Sequence, residues 1–274
     1  MVTSTNPSSA SGTRPAAFGA LRVAHWYLAG YKRMWKTNVL SSFVQPLLYL
    51  LGLGVGVGAL VDRNASSTEV LGGSSYIGFV APGLLVTTAM ALAAGESMWP
   101  VMAGLKWTRG YHGIAATSLE ARDIVLGHAA WMVLRCGIAA GSVAFALALF
   151  PDTRSWGLAP AVLVSMLVGV AFAMPIMAFS IHAEFDGAFP ALQRFVIIPL
   201  FLFGGAFYPL GQLPAIAQWF ARVAPLWHGV VVARGLTVGD ITFLEGIGHL
   251  GYVCLWSLGG TVVAIRLMRK KLYP

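Results

Sequence analysis

Few residues in this chain could do covalent chemistry, and their spacing matches no common catalytic pattern. GxxxxGKS/T is missing, so there is no phosphate-cradling loop and the chain should not hydrolyse ATP by itself. HExxH is missing, which argues against a zinc protease, and G-x-S-x-G is missing, which weakens a serine hydrolase. His182 and Asp186 are close in sequence, but a lone His and acid beside an apolar run most simply occupy a solvated loop. Cys136 and Cys254 fall in separate apolar runs and read as packing residues. Two features stand out. Arg135 lies about 12 residues, roughly 18 Å, into an otherwise uncharged stretch. A guanidinium there must face protein or water and needs an acid or carbonyl partner, for which Glu96 is a candidate. The pair would be a structural bridge or a substrate contact, unless Arg135 snorkels to the inner face. Gly52, Gly54, Gly56 and Gly58 form two overlapping GxxxG pairs, which allow close helix approach within the subunit or at a dimer seam.

The elements that position these residues follow from charge. Only 10% of the 274 residues are charged and 57% are hydrophobic, with mean hydropathy +0.74. A soluble fold of this length needs a larger charged surface, about 25% in an average domain. That excludes a soluble enzyme, a disordered chain and a nucleic-acid-binding domain, despite a formal charge of +8. A charge at the bilayer centre costs roughly 3 kcal/mol or more, so charges mark span ends. The intervals 37–61, 70–95, 124–151, 155–183, 195–221 and 246–265 are free of charge except for Arg135. Each reaches the roughly 20 residues that a spanning helix needs, predicting an all-α membrane protein with six transmembrane helices. The runs lack the alternation of a membrane barrel, and helices satisfy their own backbone in hydrocarbon. Pro46, Pro82, Pro175 and Pro199 lie within spans and should kink them.

With both termini cytoplasmic, 13 of the 18 Lys and Arg lie inside and only Arg63, Arg154, Arg222 and Arg234 outside, Arg135 being intramembrane. That distribution sets the orientation. Residues 1–17 have the composition of a disordered tail, and no apolar signal-peptide core follows within the first 20 residues. Over 18–36, Phe18, Leu21, Ala24, Leu28, Tyr31 and Trp35 recur at spacings of 3 and 4 among basic residues. This predicts an amphipathic interfacial helix on the inner leaflet, although a plain basic flank of the first span would share the composition. Residues 37–274 then form the transmembrane domain. The inner segment 96–122 carries Trp99, Lys106, Trp107, Arg109 and Tyr111, which suits either a short helix touching a soluble partner or a solvated loop with interfacial Trp. Residues 204–236 are apolar but interrupted by Pro209, Pro214, Pro225 and two Arg. A seventh span there would expose the basic C-terminus outside, so this segment is read as short re-entrant helices between spans 5 and 6.

Four passages resemble the permease subunit of type-2 ABC exporters, in the branch of nodulation lipo-oligosaccharide and daunorubicin-type drug exporters. KRMWKTNVLSSFVQPLLYLLGLGVGVGALV (32–61) is similar to the family's first span, and RGYHGIAATSLEARDIVLGHAAW (109–131) to its loop before the third. FGGAFYPLGQLPAIAQWFARVAPLWHGVVVARG (203–235) resembles its most diagnostic passage, and the ending RLMRKK also fits. The chain departs at Thr117-Ser118-Leu119, where the family often has Thr-Pro-Leu. The resemblance implies two permease copies, identical or related, in a bacterial inner membrane with two separate ATPase subunits. ATP would sit on those partners, with no cofactor, metal or nucleic acid bound by this chain. It implies docking through the interfacial helix and the 96–122 loop, where Lys106, Trp107, Arg109 and Tyr111 are the candidate contacts. The re-entrant helices, with Pro209, Pro214, Pro225 and Arg234, would form the outer gate, and the substrate would be lipid-linked or amphiphilic. An ion-coupled secondary carrier is the alternative, but it would usually show an inverted repeat and midplane acids.

Overall fold

Local side-chain chemistry sets where the long helices begin. The computed structural model describes residues 16–33, 44, 47–63, 71 and 74–273. Helix α1 is Ala16–Arg33, and α2 combines a π-form stretch, Leu50–Val57, with Gly58–Val61. Ser75 is extended and its hydroxyl accepts from Gly78 N at 3.3 Å, starting α3, Tyr76–Trp107. After α4, Gly110–Ala115, the reciprocal capping box of Glu120 and Asp123 starts α5, Ala121–Ala148. Helices α6, Leu158–His182, and α7, Ala188–Phe203, follow. Two shorter helices come next, α8, Ala215–Val223, and α9, Pro225–Val238. Thr242 and Glu245 form a second capping box at the head of α10, Phe243–Leu272.

All regular elements among the described residues are helical. Four helices are long and apolar enough to cross a membrane: α3, α5, α6 and α10. Of the first expected span, residues 37–43, 45 and Pro46 lie outside the described residues, as do 34–36, with Trp35, at the end of the expected interfacial helix. Of its glycines, Gly52 and Gly56 face open space and Gly58 is buried, with Gly54 in the same helical stretch. Residues 1–15 of the expected tail also lie outside the described set. The charge-free run 195–221 is not one helix: α7 ends at Phe203, where Gly204 and the positive-φ Gly205 turn the chain.

Helix α6 is central and packs against α3, α5, α9 and α10. Its contacts are close because small residues face bulky ones. A Cβ on Gly260 of α10, for example, would lie 2.5 Å from Pro175 Cδ. In hydrocarbon such packing, rather than water exclusion, holds helices together. Helix α10 is peripheral and largely exposed, whereas α3 is largely buried. Cys136 is buried, and its thiol donates to Ala89 O at 3.6 Å.

One helix runs past an expected span end. Glu96 is read from the sequence as the inner end of a span, and α3 continues for three more turns to Trp107, in π form from Ala103 after Pro100. The Glu96 carboxylate stands within the helix, paired with Arg135 Nη2 at 2.9 Å.

Candidate functional site

Helix α1 lies along α5, and one glycine sets how closely. A Cβ on Gly127 would fall 2.5 Å from Val23 Cβ and 2.9 Å from Ala20 O. The face of α1 turned inward therefore centres on Val23, which is 1% exposed, and Tyr27, while Phe18 and Leu21 of the expected apolar stripe are over 60% exposed. Tyr27 stacks on Trp131 at 5.9 Å, and Tyr31 meets the same indole edge-on at 5.5 Å.

From this contact a chain of buried polar groups runs inward. The Tyr27 and Tyr111 hydroxyls are hydrogen-bonded to each other. Burial pushes the Tyr111 phenol up to about 12 and the Tyr27 phenol well above its ordinary value, so both keep their protons. Tyr111 can then donate to Tyr27, and Tyr27 to His128 Nδ1 at 3.1 Å. His128 Nε2 meets Ser97 Oγ at 3.0 Å, and Ser180 Oγ donates to Ser97 O at 2.8 Å. Either neutral imidazole tautomer is satisfied, because both its partners are hydroxyls. Two turns further along α5, Arg135 Nη2 and Nε donate to Glu96 Oε1 at 2.9 and 3.3 Å. Its Nη1 donates to Tyr31 OH at 3.4 Å, and its Cζ sits 4.6 Å from the centre of the Tyr31 ring. One hydrogen-bonded set thus spans α1, α3, α4, α5 and α6, and a second spans α1, α3 and α5, with Trp131 packed between Tyr27 of the first and Tyr31 of the second.

The four residues of the expected docking loop divide. Trp107 is 60% exposed and Arg109 is exposed. Arg109 adopts φ 53°, a left-handed conformation uncommon for a side-chain-bearing residue. Tyr111 instead is fully buried, its ring against Gly104. Lys106 donates to Ala183 O at 3.0 Å and to Glu184 O, holding the carbonyl end of α6. Tyr27, Ser97, His128 and Ser180 were not singled out from sequence. Tyr27 and Tyr31 stand four apart on α1, which is a signal for a shared face; the uncharged His and Ser left none.

At the other end, Arg234 is enclosed. It donates to Phe79 O at 3.2 Å, Gly205 O at 2.9 Å and Ala206 O at 3.3 Å, with Cζ 3.7 Å from the Phe79 ring centre. Burial lowers its pKa to about 10, which still leaves it cationic at neutral pH. The 204–207 turn it holds is pressed into α3, where a Cβ on Gly83 would lie 2.7 Å from Ala206 Cα. Pro209, Pro214 and Pro225 each stand at the start of a helical segment, where a missing N–H costs nothing. Arg234→Met should cost about 3 kcal/mol, since hydrogen bonds to a charged group contribute roughly 1.5–3 kcal/mol each and the carbonyls lose their donor. Arg234→Lys should recover only part, because an ammonium cannot replace the guanidinium fork. Unfolding of the purified protein in mixed micelles would measure both.

With this geometry in place, comparison with known proteins decides the family. Residues 23–237 match the family described as ABC-2 type transporter. The chain belongs to the ABC-2 type transporter family. It is 31% identical over 255 residues to Nodulation protein J of Rhizobium meliloti (strain 1021), covering 92% of this chain and 94% of that protein. It is 30% identical to Nodulation protein J of Rhizobium leguminosarum bv. trifolii, covering 91% and 93%. It is also 25% identical to the inner membrane transport permease YadH of Escherichia coli (strain K12), covering 83% and 89%. No solved structure matches the chain. As an ABC-2 permease it is an integral membrane protein, the membrane subunit of a transporter and not itself catalytic. Membership implies association with ABC ATPase subunits.

Proposed function

We propose that this ABC-2 permease forms the export pathway for a lipid-linked or amphiphilic compound, such as a glycolipid, lipo-oligosaccharide or drug. Two copies, or one copy and a related chain, pair in a bacterial inner membrane and are driven by two ATPase subunits that carry the ATP. In this reading each copy has six spans, with α2 completing the first and α7 the fifth. Both termini are cytoplasmic, α1 lies on the inner leaflet, and α8 and α9 re-enter from outside to form the gate. Ile216 and Trp219 on α8 are 85% and 70% exposed, which suits a helix lying against lipid.

The buried polar chain carries the proposal. It joins an exposed loop, through Tyr111 and Tyr27, to Ser97 on α3, His128 on α5 and Ser180 on α6. Closure of the ATPases against Trp107 and Arg109 would move α4 and α1 together, and the hydrogen bonds would pass that displacement to the spans. The cycle is then two packings of one bundle, biased by ATP binding and released by hydrolysis. An ion-coupled carrier is less well supported: Glu96, the acid deepest in a span, is already held by Arg135.

The docking face can be tested at the two exposed positions. The purified chain alone should show no ATPase activity, while co-expression with an ATPase subunit should yield a stable complex. Trp107→Ala with Arg109→Ala should weaken that complex about tenfold or more, the size expected of an aromatic and arginine hot spot. Unchanged complex formation and ATPase stimulation would remove this loop from the docking face.

A further inference from the structure

Two cavities follow one another along the α6–α10 seam. The first is a mostly apolar groove of about 440 Å³ whose lining includes Pro175, Ala178, Leu255, Trp256, Gly259 and Val263, with Tyr252 its one hydroxyl-bearing side chain. The second is a cavity of about 310 Å³ lined by Ile181, His182, Leu267, Lys270 and Lys271. Ala178 and Ile181 are three apart on α6, and Val263 and Leu267 four apart on α10, so the cavities share one face of each helix.

We propose that this seam holds an anionic phospholipid of the inner leaflet, with its phosphate at Lys270 and Lys271 and an acyl chain in the groove. Charge argues for it. No acidic side chain lines the basic cavity, and neither lysine is in an ion pair among the described residues. Dimensions agree. Gly259 to Lys270 is 11 residues, about 16 Å of helix, which matches the roughly 15 Å hydrocarbon depth of one leaflet. Gly259 supplies the notch: a Cβ there would meet nothing within 4 Å. A second copy fits this seam less well, because an isologous contact would bring the two lysine clusters together.

Native mass spectrometry of the full chain, titrated with dioleoyl phosphatidylglycerol or dioleoyl phosphatidylcholine, tests the site. Wild type should retain phosphatidylglycerol preferentially. Lys270→Gln with Lys271→Gln should lower that retention about 25-fold, each lysine near an anionic headgroup being worth roughly fivefold. Gly259→Leu should reduce retention of both lipids, because it fills open space; far-ultraviolet circular dichroism would confirm that both variants keep their helix content. The proposal fails if neither variant changes retention, or if inorganic phosphate alone displaces phosphatidylglycerol. It also fails if Gly259→Cys, in a Cys254→Ala background, cross-links two copies in membranes.

Discussion

Glu96→Gln should destabilise the purified permease by about 3 kcal/mol while changing its shape hardly at all. The substitution keeps the size of the side chain and removes its charge, leaving the Arg135 guanidinium, whose side chain is 3% exposed, without a counter-ion. Breaking a buried pair from one side costs roughly 3–5 kcal/mol, and the 26% exposure of the Glu96 side chain places this case at the lower end. The double variant Glu96→Met with Arg135→Met should recover most of the loss, because no unpaired charge remains. Unfolding in mixed micelles reads both variants, and a stable Glu96→Gln protein would show that Tyr31 and water suffice for Arg135. Transport by the double variant separates the two roles considered for the pair. Retained export makes it structural, and a stable but inactive protein makes it a substrate contact.

Gly127→Ala should uncouple the permease from its ATPases. The added carbon would sit 2.5 Å from Val23 Cβ and 2.9 Å from the Ala20 carbonyl oxygen. One of these neighbours is backbone, so rotamer changes cannot relieve the clash and α1 must lift from α5. Its displacement separates Tyr27 from His128 and from Tyr111, while the bundle around α6 is untouched. The expected result is an intact, membrane-inserted protein whose α1 is cleaved by protease and whose complex shows basal ATPase activity without export. Tyr27→Phe is a milder form of the same break, costing about 1–3 kcal/mol for the partners it leaves unsatisfied. If Gly127→Ala exports normally, α1 has no part in coupling.

Most of the secondary structure was legible because charge is so expensive in hydrocarbon. The intervals between charges located α3, α5, α6 and α10, and the basic residues indicated an orientation. The same rule placed a span end at Glu96 but could not show that the helix itself runs on to Trp107. Nor could it show that Glu96 is paired, because its partner stands 39 positions away. The segment after α7 shows a similar limit. Its prolines predict short helices and each stands at the start of one, but the turn at Gly204 and Gly205 closes through an arginine 29 residues further on.

The sequence by itself determined that this is a helical membrane permease, that Arg135 needs a partner, and which loop carries the aromatic and basic residues. Tertiary structure decided which of those loop residues face outward. It left Trp107 and Arg109 exposed at the surface, buried Tyr111 and committed Lys106 to the end of α6. It also assembled Tyr27, Ser97, His128 and Ser180, whose uncharged side chains leave no trace in a charge or hydropathy pattern. The physical reason is range. Burial and charge costs act on each residue where it stands, so composition records them. A hydrogen bond acts over about 3 Å between residues far apart in sequence, so it exists only once helix packing has brought them together.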